Sequence, residues 1–263
     1  MTRLVSLLFH DVYADDPSES GFAGAAADRY KLPLAAFERQ LDGLARARRD
    51  APLLVDDRTV AVGRTAFAIT IDDGGVSLYT QVADRLERLG WRAHCFITTG
   101  RIGERGFLAP SQLRELRARG HVLGSHSASH PTRFGALSPR EMVKEWGESR
   151  AALQDLLGQD VTVGSVPGGY YTPRVAAAAA EAGLRVLFTS EPETRVRVVG
   201  GCLMIGRFTV RRTARDDFAA RVAGLEPSTL LREWAVWNGK KAAKRLLGAA
   251  YPRLASATAA GGR

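Results

Sequence analysis

Ile69-Thr70-Ile71-Asp72-Asp73-Gly74-Gly75 decides how this chain is read. A β-branched apolar run that breaks into two carboxylates and two glycines is a strand ending in a turn, with Asp72 and Asp73 at its C-terminal end. Catalytic groups of barrel-like α/β folds collect at such ends. A second stretch, Gly124-Ser125-His126-Ser127-Ala128-Ser129-His130-Pro131, places two imidazoles four residues apart, in a chain with five histidines in all. Asp73, His126 and His130 are a set able to bind one divalent transition metal and leave a position open for water or substrate. The histidine pair converges on one ion if its segment is helical or tightly turned. Position 127 is Ser, so this is not the His-Glu-x-x-His arrangement that brings its own base. Asp72 is the remaining candidate for a general base. Taken singly, the first stretch is also an ordinary turn or cap and the second a pair of surface histidines. Their coincidence carries the metal reading.

Outward from these stretches, strand-like and helical segments alternate in the manner of βα units. Leu34, Phe37, Leu41 and Leu44 form one helical stripe, and Leu78, Val82, Leu86 and Leu89 another. Ser138-Pro139-Arg140-Glu141 is a capping box with proline at the first helical position, which starts a helix expected to run to Leu157. Thr172-Pro173 starts another through Ala182. Further strands are expected at Val161 to Val166, Val186 to Thr189 and Met204 to Thr209. Ala14 to Asp28 has no periodicity and reads as a long loop directly after His10, placed to form part of a substrate groove.

At the acidic turn and the histidine pair the chain resembles the polysaccharide deacetylase family, carbohydrate esterase family 4. The family's first motif is a Thr-Phe-Asp-Asp-Gly strand end. Its second is His-Ser/Thr-x-x-His, matched here by His126-Ser127-Ala128-Ser129-His130. Its third, a proline followed by an aromatic and Gly, is met more loosely by Val166-Pro167-Gly168-Gly169-Tyr170-Tyr171. The arginine that many members carry before this proline is absent, with Ser165 and Val166 in its place, so the sequence names no partner to orient Asp72. The family's C-terminal Leu-x-His motif is also absent, since no histidine follows His130. Leu8-Phe9-His10 supplies the same pattern at the start of the chain and resembles the permuted branch that includes poly-N-acetylglucosamine deacetylases. His10 is then the general acid on a strand that closes the barrel beside the Asp72 strand; the other reading is a strand-end residue with a satisfied hydrogen bond. His94 and His121 read as structural.

The resemblance runs from about residue 4 to about 220. It implies a distorted seven-stranded (β/α) barrel over residues 1–225, with a basic amphipathic helical extension at 226–263. The implied activity is metal-dependent removal of N-acetyl groups from an amino-sugar glycan or a lipid-linked glycan precursor. Zinc is the first choice of metal, with cobalt and nickel as alternatives. Asp72 acts as base, His10 as acid, and the backbone N–H of Gly168 assists the metal at the oxyanion. The competing readings are hydrolysis of another amide or an O-ester, and a non-catalytic glycan-binding or assembly partner in polysaccharide biosynthesis.

Composition fits one enzyme domain: 263 residues, 45% hydrophobic, and two cysteines, Cys95 and Cys202, without metal spacing. The apolar run Leu4 to Phe9 is shorter than the roughly 7–15 residues of a signal-peptide core, so the expectation is a cytoplasmic enzyme. The net charge of +9 is not concentrated among aromatics able to stack on bases, and no nucleic acid is expected. From Leu230 to Leu254, Trp234, Trp237, Leu246, Leu247 and Tyr251 alternate with Arg232, Lys240, Lys241, Lys244, Arg245 and Arg253. That stretch fits either peripheral contact with an anionic membrane or packing of its tryptophans on the barrel.

Overall fold

The computed structural model describes residues 3–56, 65–169 and 171–247, with side chains of the last helix described as far as 242. Among the described residues the strands are β1 (Leu4–Phe9), β2 (Val12–Tyr13), β3 (Leu32–Pro33), β4 (Ala66–Ile71), β5 (His94–Ile97), β6 (Val122–Ser125), β7 (Val163–Ser165), β8 (Val186–Phe188), β9 (Arg197–Val199), β10 (Cys202–Ile205) and β11 (Phe208–Thr209). The helices are α1 (Ala25–Asp28), α2 (Leu34–Ala47), α3 (Ala83–Arg88), α4 (Pro110–Ala118), α5 (Pro139–Leu157), α6 (Pro173–Glu181), α7 (Phe218–Ala223) and α8 (Pro227–Leu247).

The main sheet has the order β11-β1-β4-β5-β6-β7-β8-β10-β9 and is parallel apart from the β9–β10 pair. Nine strands replace the expected seven, for two physical reasons. The hairpin partner β9 adds an antiparallel edge. The expected strand over Met204 to Thr209 is one run that Gly206 and Arg207 divide: its first half pairs with β8 and its second with β1. The run therefore spans the interval between β8 and β1. The chain end at β1 is not the closing stave, because β11 lies on its outer side.

β1 is buried along its whole length, as strands covered on both faces must be. Val5, Leu7 and Phe9 stand opposite Phe67, Ile69 and Ile71 of β4 and face the helical layer with them, where Phe37, Leu41 and Leu44 of α2 meet them. The other face carries a smaller cluster of Leu4, Ala68, Phe96, Val163, Phe188 and Ile205. Side chains such as Ser6, Ala68 and Thr70 are small on this concave side, where a curled sheet leaves little room.

The local signals account for the helix ends. Ser138 Oγ accepts from Glu141 N and Glu141 returns a bond to Ser138 N, so α5 starts at Pro139, and Gly158 ends it at φ 65°. The second stripe opens with a π turn at Leu78–Val82 before α3, and Leu89 falls outside the buried set. Residues 14–28 contain a capped single turn at Pro17–Glu19 and the four-residue α1, where a loop was expected. The excursion returns to its origin because β2 and β3 pair, Val12 opposite Leu32.

Candidate metal centre and active site

Strand register assembles the site. Phe9 pairs with Ile71, so the next residues, His10 and Asp72, emerge side by side, and Asp72 N donates to Phe9 O. Ile97 pairs with Ser125, which sets His126 beside the acidic turn, and His126 N donates to Ile97 O at 2.9 Å.

Asp73, Ser127 and His130 all have left-handed φ values, 79°, 64° and 55°. Non-glycine residues rarely adopt that region, and clusters of them mark sites where backbone strain serves geometry. The histidine segment is a tight turn: Ser127 Oγ accepts from His130 N, and Ser129 is clamped by Glu145. His126 Nδ1 is 2.9 Å from Ser165 O, which leaves Nε2 to face the carboxylates.

The result is a compact donor set. His126 Nε2 and His130 Nε2 stand 3.4 and 3.6 Å from Asp73 Oδ1. The ligand atoms of all three residues lie within 4.8 Å of one another. Ligands bound at about 2.0–2.1 Å in tetrahedral geometry are separated by about 3.3 Å. The donor types and spacing therefore fit a divalent transition ion with little movement. Burial and the neighbouring His126 push His130 down to about 4, so it is neutral and able to ligate at neutral pH. At His126 burial opposes the charged form, but Asp72 and Asp73 outweigh it and raise the pKa.

Asp72 Oδ2 stands 3.7 Å from His126 Nε2, but its hydrogen bonds go elsewhere. Arg207 Nη1 and Nη2 donate to its two oxygens at 2.7 and 2.9 Å, and Ser165 Oγ donates to Oδ2 at 3.0 Å. Arg207 Nη2 also reaches Ser165 Oγ, and its Nε is bound to Thr189 O. Burial works to raise the Asp72 pKa, yet Arg207 and His126 outweigh it and keep the carboxylate ionised. The orienting partner missing before Pro167 is thus supplied from between β10 and β11, with Ser165 as its companion. Sequence reasoning did not find Arg207; the available signal was a lone guanidinium in the otherwise uncharged run Met204 to Thr209.

His10 lies against Tyr30, with ring centroids 5.0 Å apart. Its Nδ1 is buried and has no partner among the described residues. Burial lowers its pKa, while Asp73 and Asp72 pull the other way. His94 and His121 lie away from the site: His94 Nε2 contacts Val55 and His121 Nε2 contacts Glu87.

A cavity of about 420 Å3 brings together His10, Asp72, Asp73, His126, His130 and Gly168, which has φ 62°. Phe22 and Tyr30 line it from the excursion after His10, and Arg211 and Trp237 from the C-terminal part. On α8, Trp234 is half exposed while Trp237 turns to the cavity. Tyr170, Tyr251, Arg253 and the side chains of Lys244, Arg245, Leu246 and Leu247 lie outside the described residues. No helix among the described residues is long and apolar enough to cross a membrane.

Comparison with known proteins gives several matches described as deacetylases and one, 28% identical over 120 residues, described as a gellan lyase of Bacillus sp. The family profile described as polysaccharide deacetylase matches residues 59–187. YxkH of Bacillus subtilis (strain 168) is 28% identical over 132 residues, 50% of this chain and 47% of YxkH. The chain thus spans about half the length of that relative, and 37% of YheN from the same organism. Among solved structures, the Streptococcus pyogenes deacetylase PplD in complex with acetate superposes with a TM-score of 0.66 at 19% identity, over 86% of this chain and 99% of that one. IcaB from Ammonifex degensii superposes with a TM-score of 0.67 at 21% identity, over 85% and 98%. At these identities the likeness is one of fold.

Proposed function

The chain belongs to the polysaccharide deacetylase family, and from that premise we propose that it is a metal-dependent hydrolase removing N-acetyl groups from an amino-sugar glycan or glycan precursor. The observation that carries the reading is the separation of roles between two adjacent carboxylates in one cavity: Asp73 with His126 and His130, and Asp72 with Arg207. An ion held by the first set supplies Lewis acidity to an acyl oxygen and to the attacking water.

The remaining steps belong to this chain's own groups. Asp72, fixed by the Arg207 fork, accepts the proton that water loses as its oxygen bonds to the acetamide carbon. The N–H of Gly168, on the cavity wall, is the donor assigned to the developing oxyanion. As the C–N bond breaks, His10 gives its proton to the departing amine, and acetate and the free amino sugar are the products. No described residue bonds His10 Nδ1.

The test is acetate release from N-acetylhexosamine oligomers and lipid-linked precursors by protein loaded with zinc, cobalt or nickel. Turnover that requires metal and is abolished by Asp72→Asn is the expected result. Glycan binding without acetate release under all three metals would overturn it in favour of a binding role. Release from O-acetyl esters alone would move the activity to an esterase.

A further inference from the structure

We propose that Trp237 is a substrate-contacting residue, its indole forming the wall on which the sugar ring rests, so that α8 is part of the substrate site. This rests on the reading that the substrate is an N-acetylated glycan.

Glu233, Trp237 and Lys241 recur every four residues and so share one face of α8. Glu233 accepts from Arg211 at 3.3 Å, two residues beyond β11. Lys241 pairs with Glu191 at 2.7 Å, three residues beyond β8. These two contacts stand on either side of Trp237 and lay that face across the ends of β8 and β11. Trp237 lines the same cavity as the two aspartates and the histidine pair.

The opposite loop leaves room for the ring. Gly169 has φ 69°, and a Cβ there would stand 3.2 Å from Trp237 Cη2 and 3.1 Å from Ser190 Cβ. A side chain at 169 would therefore press on the indole. The Nε1–H of Trp237 is buried and has no acceptor among the described residues. Trp146, in the core, has the same unbonded N–H, so this donor is turned away from the cavity and the indole meets the cavity through its carbon atoms.

A flat apolar ring surface beside the acidic and histidine groups selects a ligand that is apolar on one face and polar around its edge. A pyranose with an acetamido group has that form. Phe22 and Tyr30 complete an aromatic lining, with Tyr30 against His10 and Phe22 against His130 at 4.9 Å.

The experiment is calorimetric titration of the full-length, metal-free protein with N-acetylhexosamine trimers of gluco and galacto configuration, so that binding is read without turnover. Trp237→Ala is expected to weaken binding about tenfold or more, and Trp237→Phe to fall between the two. Zinc content on reloading and the thermal midpoint serve as the check on folding. In the zinc-loaded enzyme the loss should fall on KM more than on kcat. Trp237→Leu, which fills the space without a ring face, decides the matter if the alanine variant does not fold. Equal binding by wild type and a folded Ala or Leu variant would overturn the proposal. So would a wild-type protein that binds neither trimer, while the hydrolase reading would still be judged separately by acetate release.

Discussion

Asp72 and Asp73 are neighbours in sequence, and they differ in what holds them. Asp73 turns to the imidazoles with a left-handed backbone, and Asp72 is gripped by a guanidinium 135 residues away. His126→Ala and His130→Ala are therefore expected to lose the divalent ion, as measured by elemental analysis after loading with zinc. Asp72→Asn should keep the ion and lose roughly two or more orders of magnitude in turnover, because it removes a base and not a ligand. Retention of metal by both histidine variants would remove the ligand assignment. Arg207 tests the grip itself. Arg207→Met leaves a buried carboxylate without its counter-charge, a change that costs about 3–5 kcal/mol in folding stability. Arg207→Lys keeps the charge and loses the two-pronged geometry, so it should fold more stably than Arg207→Met yet turn over more slowly than wild type at equal metal content. Urea unfolding and initial rates separate the two effects. The four residues at the turn and the histidine pair were legible because their spacing is local. Arg207 was not, because nothing in its neighbourhood of sequence says that it meets Asp72.

At the level of elements, local chemistry was read well and strand continuity less so. The box at Ser138 fixed both the start of α5 and, with the apolar pattern, its length to Leu157. The run Met204 to Thr209 carries no sign that its halves pair with different strands, since pairing is decided by the curl of the whole sheet. β1 is the element on which the general-acid reading depends. Its register against β4 places His10 next to Asp72, and burial holds the imidazole below the ordinary histidine value against the pull of Asp73 and Asp72. Protonated His10 is the reactive form in this mechanism, so turnover should fall as pH rises through that lowered pKa. His10→Ala should retain metal, lose roughly 10²–10⁴-fold in rate and lose this alkaline limb. Esters with good leaving groups need less protonation and should suffer less. Equal loss on amide and ester, read from pH–rate profiles of both, would take His10 out of the mechanism.

For the whole molecule, the response of stability to acid is a sum over buried groups that pull in opposite directions. His94 is fully buried between Phe96 and Phe188, with its pKa pushed down to about 4. Its neutral form is favoured by folding, and stability from this source is lost as pH falls from the unfolded value toward 4. Asp11 acts in the reverse sense. Burial pushes it up to about 6, even though Ser20 and Ser77 donate to Oδ1, and its Oδ2 has no partner among the described residues. Ionised Asp11 is thus disfavoured by folding: its contribution is fully present below about 3.8, the unfolded value, and is lost as pH rises through about 6. Asn at this position imitates the neutral acid at every pH. Asp11→Asn and wild type should consequently be equally stable near pH 3.5, and the variant should gain progressively up to about pH 6 and no further. The gap between about 3.8 and about 6 corresponds to roughly 3 kcal/mol at the plateau. Urea unfolding of both proteins in the presence of chelator, at intervals from pH 3.5 to 7.5, measures the difference directly. A constant difference across that range would show that Asp11 does not titrate in this window, and a variant that falls below wild type as pH rises would reverse the sign of the argument.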